Sequence, residues 1–231
     1  PDIGETLNNL ANAAMELGQA DRALVLQQRV LAIWRGALPP DHPYLGASYS
    51  NLGNAAYTLG RYTEAVAAYE RSIAVRERAL GSDHAEVGVS LLNYGAVLGE
   101  LGRYTEAITV LRRARSILER SIGDHPWTVA AVSSLGVVLM RRGDHEEAVE
   151  VQEQAWAMQQ AIGHAEHPRA VEVRRRLGDA LLAAGQPQRA RTELEAALEL
   201  HARGGVLPDE SAELWLSLAR ALSSLGEDAP R

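Results

Sequence analysis

The sequence predicts an all-α fold, a solenoid of stacked helical hairpins, on three markers that share one period. Gly recurs at Gly18, Gly60, Gly102, Gly143, Gly185 and Gly226, in steps of 42, 42, 41, 42 and 41 residues. Ala23, Ala65, Ala107, Ala148 and Ala190 follow the first five at a fixed offset of five. A second small residue keeps the same register as Ala11, Gly53, Gly95, Gly136, Gly178 and Ala219. Such a period, sustained over 231 residues, is the signature of units that bury their apolar faces only against their neighbours.

Each unit carries two helical patterns around a Gly-centred turn. In "ASYSNLGNAAYTLG" Leu52, Ala55, Ala56 and Leu59 fall at helical spacing, and in "RYTEAVAAYERSIAVRERAL" Ala65, Tyr69, Ile73 and Val75 do. Gly60 stands where a left-handed cap ends a helix. Pro43, Pro126 and Pro168 follow His, where a missing N–H is harmless in the first turn, and the preceding Asp or His can cap the free amides. The expected hairpins are about 3–18 with 20–37, 43–59 with 62–80, 85–101 with 104–121, 126–142 with 145–162 and 168–184 with 187–203. A further helix follows at 209–225. The chain is accordingly divided as one array over 1–231, with repeats at about 1–41, 42–83, 84–124, 125–166 and 167–208 before that last helix. The small residue inside each first helix costs roughly 0.5–1 kcal/mol where it is Gly, so a neighbouring helix is expected to approach closely there.

Composition agrees with helices packed through small and aliphatic side chains, since Phe and Cys are absent and Ala, Leu, Glu, Arg and Val dominate. The formal charge of −7 gives no general reason to expect nucleic acid. No run of about 18 apolar residues suggests a membrane span and no leader is apparent, so a cytoplasmic location is expected. Without Cys there is no disulfide, thiolate ligand or cysteine nucleophile. All 23 basic residues are Arg, a bias expected of a GC-rich bacterial genome, and the start at Pro1 suggests a segment of something longer.

The stretch "NLGNAAYTLGRYTEAVAAYERSIAVRERALGSDH" resembles the tetratricopeptide family, with Leu52, Gly53, Ala65 and Tyr69 where its helical-pair signature has Leu, Gly, Ala and an aromatic. The period exceeds the usual 34 residues by seven or eight, and with "LGxDHP"-like links between units it is similar to the kinesin light chain subclass. The resemblance implies a right-handed α-α superhelical solenoid that binds protein or peptide and is not itself an enzyme. In bacteria similar arrays accompany Ser/Thr kinases and signalling ATPases, which implies an accessory or regulatory role beside a catalytic part outside this segment as the alternative. Neither a phosphate-cradling Gly-rich loop nor a kinase catalytic loop occurs here.

The resemblance also implies that the first helices line a concave face. The groove-facing positions lie three and two before, one after, and four and five after the small residue. Those offsets select Asn8, Asn9, Asn12, Met15 and Glu16, then Ser50, Asn51, Asn54, Tyr57 and Thr58, then Leu92, Asn93 and Glu100. Further along they select Ser133, Ser134, Met140 and Arg141, then Arg175, Arg176 and Asp179, then Ser217 and Arg220. An Asn side chain donates to a carbonyl and accepts from an N–H, so a ladder of Asn9, Asn51 and Asn93 could hold an extended backbone with little regard to sequence. Tyr57 and Leu92 could offer side-chain pockets. The alternative is that these amides bond within the protein. Arg141, Arg175, Arg176 and Arg220 could converge on an acidic or phosphorylated segment, unless Glu172, Asp179 and Glu213 neutralise them. Asn8, standing where a chaperone-tail carboxylate clamp would want a basic residue, argues against that ligand.

Other motifs have structural explanations. His42, His84, His125 and His167 recur once per unit and are expected to cap helices rather than bind metal, and His164 with His167 forms an H-x-x-H that lacks a third ligand. Adjacent Glu146 and Glu147 point apart on a helix. Arg112, Arg113, Arg115 and Arg120 are expected on a solvated outer face. Trp34, Trp127, Trp156 and Trp215 are expected to pack in the core or between hairpins. No cofactor, metal, nucleic acid or membrane partner is expected. An exposed stripe of Leu214, Trp215, Leu218 and Leu222 would favour end-to-end pairing, so a homodimer through 209–225 is a further expected partner.

Overall fold

The computed structural model describes residues 2–163, 168–204 and 208–226, and these fold into eleven α-helices with no strand among the described residues. The helices are α1 (Asp2–Glu16), α2 (Ala20–Ala37), α3 (Pro43–Thr58), α4 (Tyr62–Leu80), α5 (Ala85–Glu100), α6 (Tyr104–Ile122), α7 (Pro126–Arg142), α8 (His145–Ala161), α9 (Pro168–Ala183), α10 (Pro187–Gly204) and α11 (Pro208–Leu225). Every bound lies within two residues of its expected place. The chain forms two compact units, Pro1–Ile122 and Gly123–Arg231. In the first, α1 to α6 pack each on the next, and the first helices α1, α3 and α5 also touch one another in turn. In the second, α7 to α11 do the same, with α7, α9 and α11 in succession.

The punctuation works as the residues dictate. Gly18, Gly60 and Gly102 adopt φ of 70°, 70° and 73°, a left-handed conformation that closes each hairpin turn without a Cβ penalty. His42, His84 and His125 are N-caps whose Nδ1 atoms accept the backbone N–H of Tyr44, Glu86 and Trp127 at 3.2, 3.2 and 3.1 Å. His164 and His167 lie outside the described residues.

Small residues meet large ones along two rows. A Cβ added to Gly53 would fall 2.7 Å from the Tyr69 ring, one on Gly95 2.6 Å from Leu111 Cγ, one on Gly136 2.7 Å from Gln152 Nε2, and one on Gly178 2.6 Å from Leu194 Cγ. Two turns earlier, Gly4 faces Trp34, Gly46 faces Arg76 and Gly88 faces Leu118. The close approach inferred from the sequence is therefore the contact of each first helix with the second helix of its own hairpin. In the first unit Val30, Leu31, Trp34, Leu45 and Val75 form a core cluster flanked by Leu7, Ile33, Leu38, Tyr49 and Leu52.

Two expectations need correction. Leu214, Leu218 and Leu222 are buried rather than exposed, because α11 packs on both α9 and α10 and uses that stripe to do so. The apolar groups that α11 leaves open are Trp215 and Leu216, 48% and 52% exposed. Of the four Trp, Trp34 is a core residue and half-buried Trp156 on α8 packs between hairpins under the Arg174 guanidinium of α9, 4.3 Å from its ring centre, as expected, whereas Trp127 and Trp215 are exposed. Arg113, Arg115 and Arg120 on α6 are ion-paired with Glu77, Glu119 and Asp83 at 2.5–2.7 Å, as a solvated outer face requires.

Candidate functional site

In the first unit the groove positions of α1, α3 and α5 form an interlocked lattice of amides. Asn51 donates its Nδ2 to Asn8 Oδ1 at 3.2 Å and to Asn12 Oδ1 at 3.3 Å. Asn93 donates its Nδ2 to Asn54 Oδ1 at 3.3 Å, so each helix is bonded to the next one along the groove. Two deeper residues pin the lattice from below. Buried Gln27 donates to Asn8 Oδ1 at 3.0 Å and accepts from Ser48 Oγ at 3.1 Å, and the Tyr69 hydroxyl donates to Asn54 Oδ1 at 2.6 Å. Burial pushes the Tyr69 phenol well above its ordinary value, so it remains a donor.

These bonds fix which end of each amide remains for a ligand. Asn51 has committed both N–H donors and keeps Oδ1; Asn93 has committed one and keeps the other together with Oδ1; Asn12 and Asn54 accept through Oδ1 and keep Nδ2. Acceptors and donors are thus both left open on one face, which is what the alternating N–H and C=O groups of an extended backbone require. A depression of about 230 Å³ lies within it, lined by Asn12, Met15, Glu16, Gln27, Asn51 and Asn54.

The other expected residues fall into three groups. Asn9 is exposed on α1 and stands outside the lattice, with no side-chain hydrogen bond among the described residues. Tyr57 is partly exposed beside Tyr62, ring centres 5.6 Å apart, whereas Leu92 is buried and offers no pocket. Gln27 and Tyr69 were not selected from the sequence as site residues. A signal existed for Gln27: it stands 42 residues before Tyr69, at a core-facing place, and a buried amide there demands partners.

In the second unit Arg175 and Arg176 are held by carboxylates of the same unit. Arg175 bonds both oxygens of Glu172 at 2.8 and 2.9 Å and Asp179 Oδ2 at 2.8 Å, with Glu213 3.1 Å away. Arg176 bonds Glu172 at 2.6 Å and Ser133 Oγ at 3.2 Å. Burial would raise the Glu172 carboxyl, but its bonds to Arg175 and the charge of Arg176 outweigh that and hold it below its ordinary value. Burial dominates at Asp179 and pushes it up, against a 2.6 Å bond from Ser217 Oγ and the charges of Arg175 and Arg220. Arg220 is exposed on α11, and Arg141, exposed near the end of α7, also has a partner within the chain.

The family model for the tetratricopeptide repeat matches at residues 2–78, 49–120, 86–161 and 127–203. The chain belongs to the tetratricopeptide repeat family. No curated protein matches it. Among solved structures it is similar to the nearly identical tetratricopeptide-like repeats of a putative kinesin light chain from Podosopora anserina, at TM-score 0.74 and 29% identity, over 86% of this chain and 94% of that one. It is also similar in fold to BtubC (BKLC) from P. vanneervenii, at TM-score 0.75 and 22% identity over 89% and 84% of the two chains. A third likeness is to the Rap conjugation gene regulator of plasmid pLS20, solved in complex with the Phr* peptide, at TM-score 0.72 and 15% identity over 93% and 60%. The tetratricopeptide repeat is in general a protein-interaction scaffold. No described helix is long and apolar enough to cross a membrane.

Proposed function

We propose that this tetratricopeptide array is a binding scaffold without catalytic chemistry of its own, and that the face of α1, α3 and α5 holds an extended protein segment by its backbone. One observation carries the reading: internal bonds leave the amide oxygens of Asn51 and Asn93 and N–H donors of Asn12, Asn54 and Asn93 open on the helices α1, α3 and α5. Amides pinned in advance lose little side-chain freedom on binding, which lowers the cost of capturing a segment. The peptide-bound Rap regulator, of the same fold, supports a peptide as the class of ligand. An acidic segment on Arg175 and Arg176 would have to displace Glu172, Asp179 and Glu213, so the first unit is the preferred site.

The test is fluorescence-anisotropy titration of a panel of extended, neutral ten-residue peptides against the wild type and the Asn51→Ala, Asn93→Ala double variant. The expected result is saturable binding that the double variant weakens about tenfold, the equivalent of one or two lost hydrogen bonds. Equal affinity for both proteins would remove the amide lattice from the mechanism. A second reading is favoured by exposed Trp215 and Leu216: self-association through α11. Light scattering over a range of concentrations would show a mass that rises with concentration in the wild type and not in Trp215→Ser, Leu216→Ser.

A further inference from the structure

The depression on the amide face is chemically uneven. Of the residues that line it, Glu16 alone is charged. It is exposed, ends α1, and makes no ion pair or side-chain hydrogen bond among the described residues. Its carboxylate stands at the carboxyl end of a helix of 15 residues, where the macrodipole adds further negative potential. Met15 beside it gives a polarizable, unbranched surface on which a methylene stem can lie. Asn51 on the same wall keeps Oδ1 as a free acceptor.

Size and charge together select the occupant. A volume of about 230 Å³ is below the usual range for small-molecule pockets and suits one long side chain. An anionic group would meet the Glu16 carboxylate and the helix end, and an apolar one would cover the carboxylate without a partner. The geometry points to a pocket for a basic side chain, an Arg or Lys of the extended segment, with its stem along Met15 and its cation on Glu16. This assignment rests on the backbone-binding function proposed above and names the side chain that the site prefers.

The experiment scans one Arg through every position of the neutral ten-residue peptide, with Gln and Glu peptides in parallel, against the full 231-residue chain. At one position the Arg peptide is expected to bind about tenfold tighter than its Gln counterpart, the effect of one charge-assisted bond. Glu16→Gln is expected to erase that preference, so that Arg and Gln peptides bind the variant alike, and 0.5 M salt to weaken the Arg peptide alone in the wild type. Equal binding of Arg and Gln peptides at every position, or tightest binding of the Glu peptide, overturns the pocket. If that happens while Asn51→Ala, Asn93→Ala still weakens every peptide, the backbone-binding site stands and only its basic preference falls. If the wild type binds none of the peptides, both fall.

Discussion

At the scale of single residues, the same substitution is expected to have opposite signs at two glycines. Gly36, near the end of α2, has nothing within 4 Å of an added Cβ, so Gly36→Ala gains helix propensity and stabilises by up to ~1 kcal/mol. Gly95 lies in mid-helix under Leu111, where the Cβ would fall 2.6 Å from Cγ. Overpacking of roughly 1–3 kcal/mol then exceeds the propensity gain, and Gly95→Ala destabilises. Urea midpoints of the two variants check both signs. The pH dependence of the α9 cluster is also a residue-scale matter. Glu172 is held below its ordinary value of 4.5, so its contribution is full above that pH and is lost as pH falls through the folded value. Glu172→Gln should therefore be less stable than the wild type at pH 7, with a gap that closes below about pH 4.5. A gap independent of pH would mean that the carboxylate's charge contributes nothing. The identity of this cluster was partly legible, since Glu172, Asp179 and Glu213 were evident as counter-charges. The amide lattice was less so: Asn51 bonds Asn8 and Asn12, 43 and 39 residues away, and its donor direction depends on those partners.

At the scale of elements, the ends of the helices were readable because their causes are local. A Gly in positive φ closes a turn, and a His directly after Asp, as at His42, His84 and His125, begins the next helix where its Nδ1 reaches the second amide beyond it. His84 caps α5 without the help of a Pro, unlike His42 and His125, so it isolates the cap. His84→Ala is expected to cost ~1 kcal/mol, and His84→Asn to restore most of it because Asn supplies an acceptor at the same place. Chemical denaturation of the two variants decides between a cap and a bystander: equal losses would exclude capping. What local pattern could not reveal was which face of α11 lies inward. Leu214, Trp215, Leu218 and Leu222 are all apolar, but Trp215 departs from the i, i+4, i+8 line of the three Leu, and only the packing of α11 on α9 and α10 separates them.

At the scale of the whole molecule, stability is a sum over neighbours, and the consequence is clearest inside the first unit. Among the described residues the α1–α2 hairpin packs only on α3 and leaves Ile3 and Leu10 on α1 and Leu17 in the turn after it exposed, whereas α3–α4 is packed against both α2 and α5. In a nearest-neighbour array the element with one interface opens before the element with two. Amides of α1 and α2 are therefore expected to exchange with deuterium faster than those of α3 and α4 in the free protein. A segment bound along α1, α3 and α5 adds a second tie to α1, and at free peptide a hundred times the dissociation constant it stabilises the bound form by about 2.7 kcal/mol. That slows exchange through opening of the α1–α2 hairpin about a hundredfold, by more than it slows the already well-held amides of α4. Hydrogen exchange followed by mass spectrometry, with and without peptide, reads both quantities. Uniform exchange across α1 to α4 in the free chain would contradict the nearest-neighbour account, and unchanged exchange in α1 on saturation would place the bound segment off the amide face.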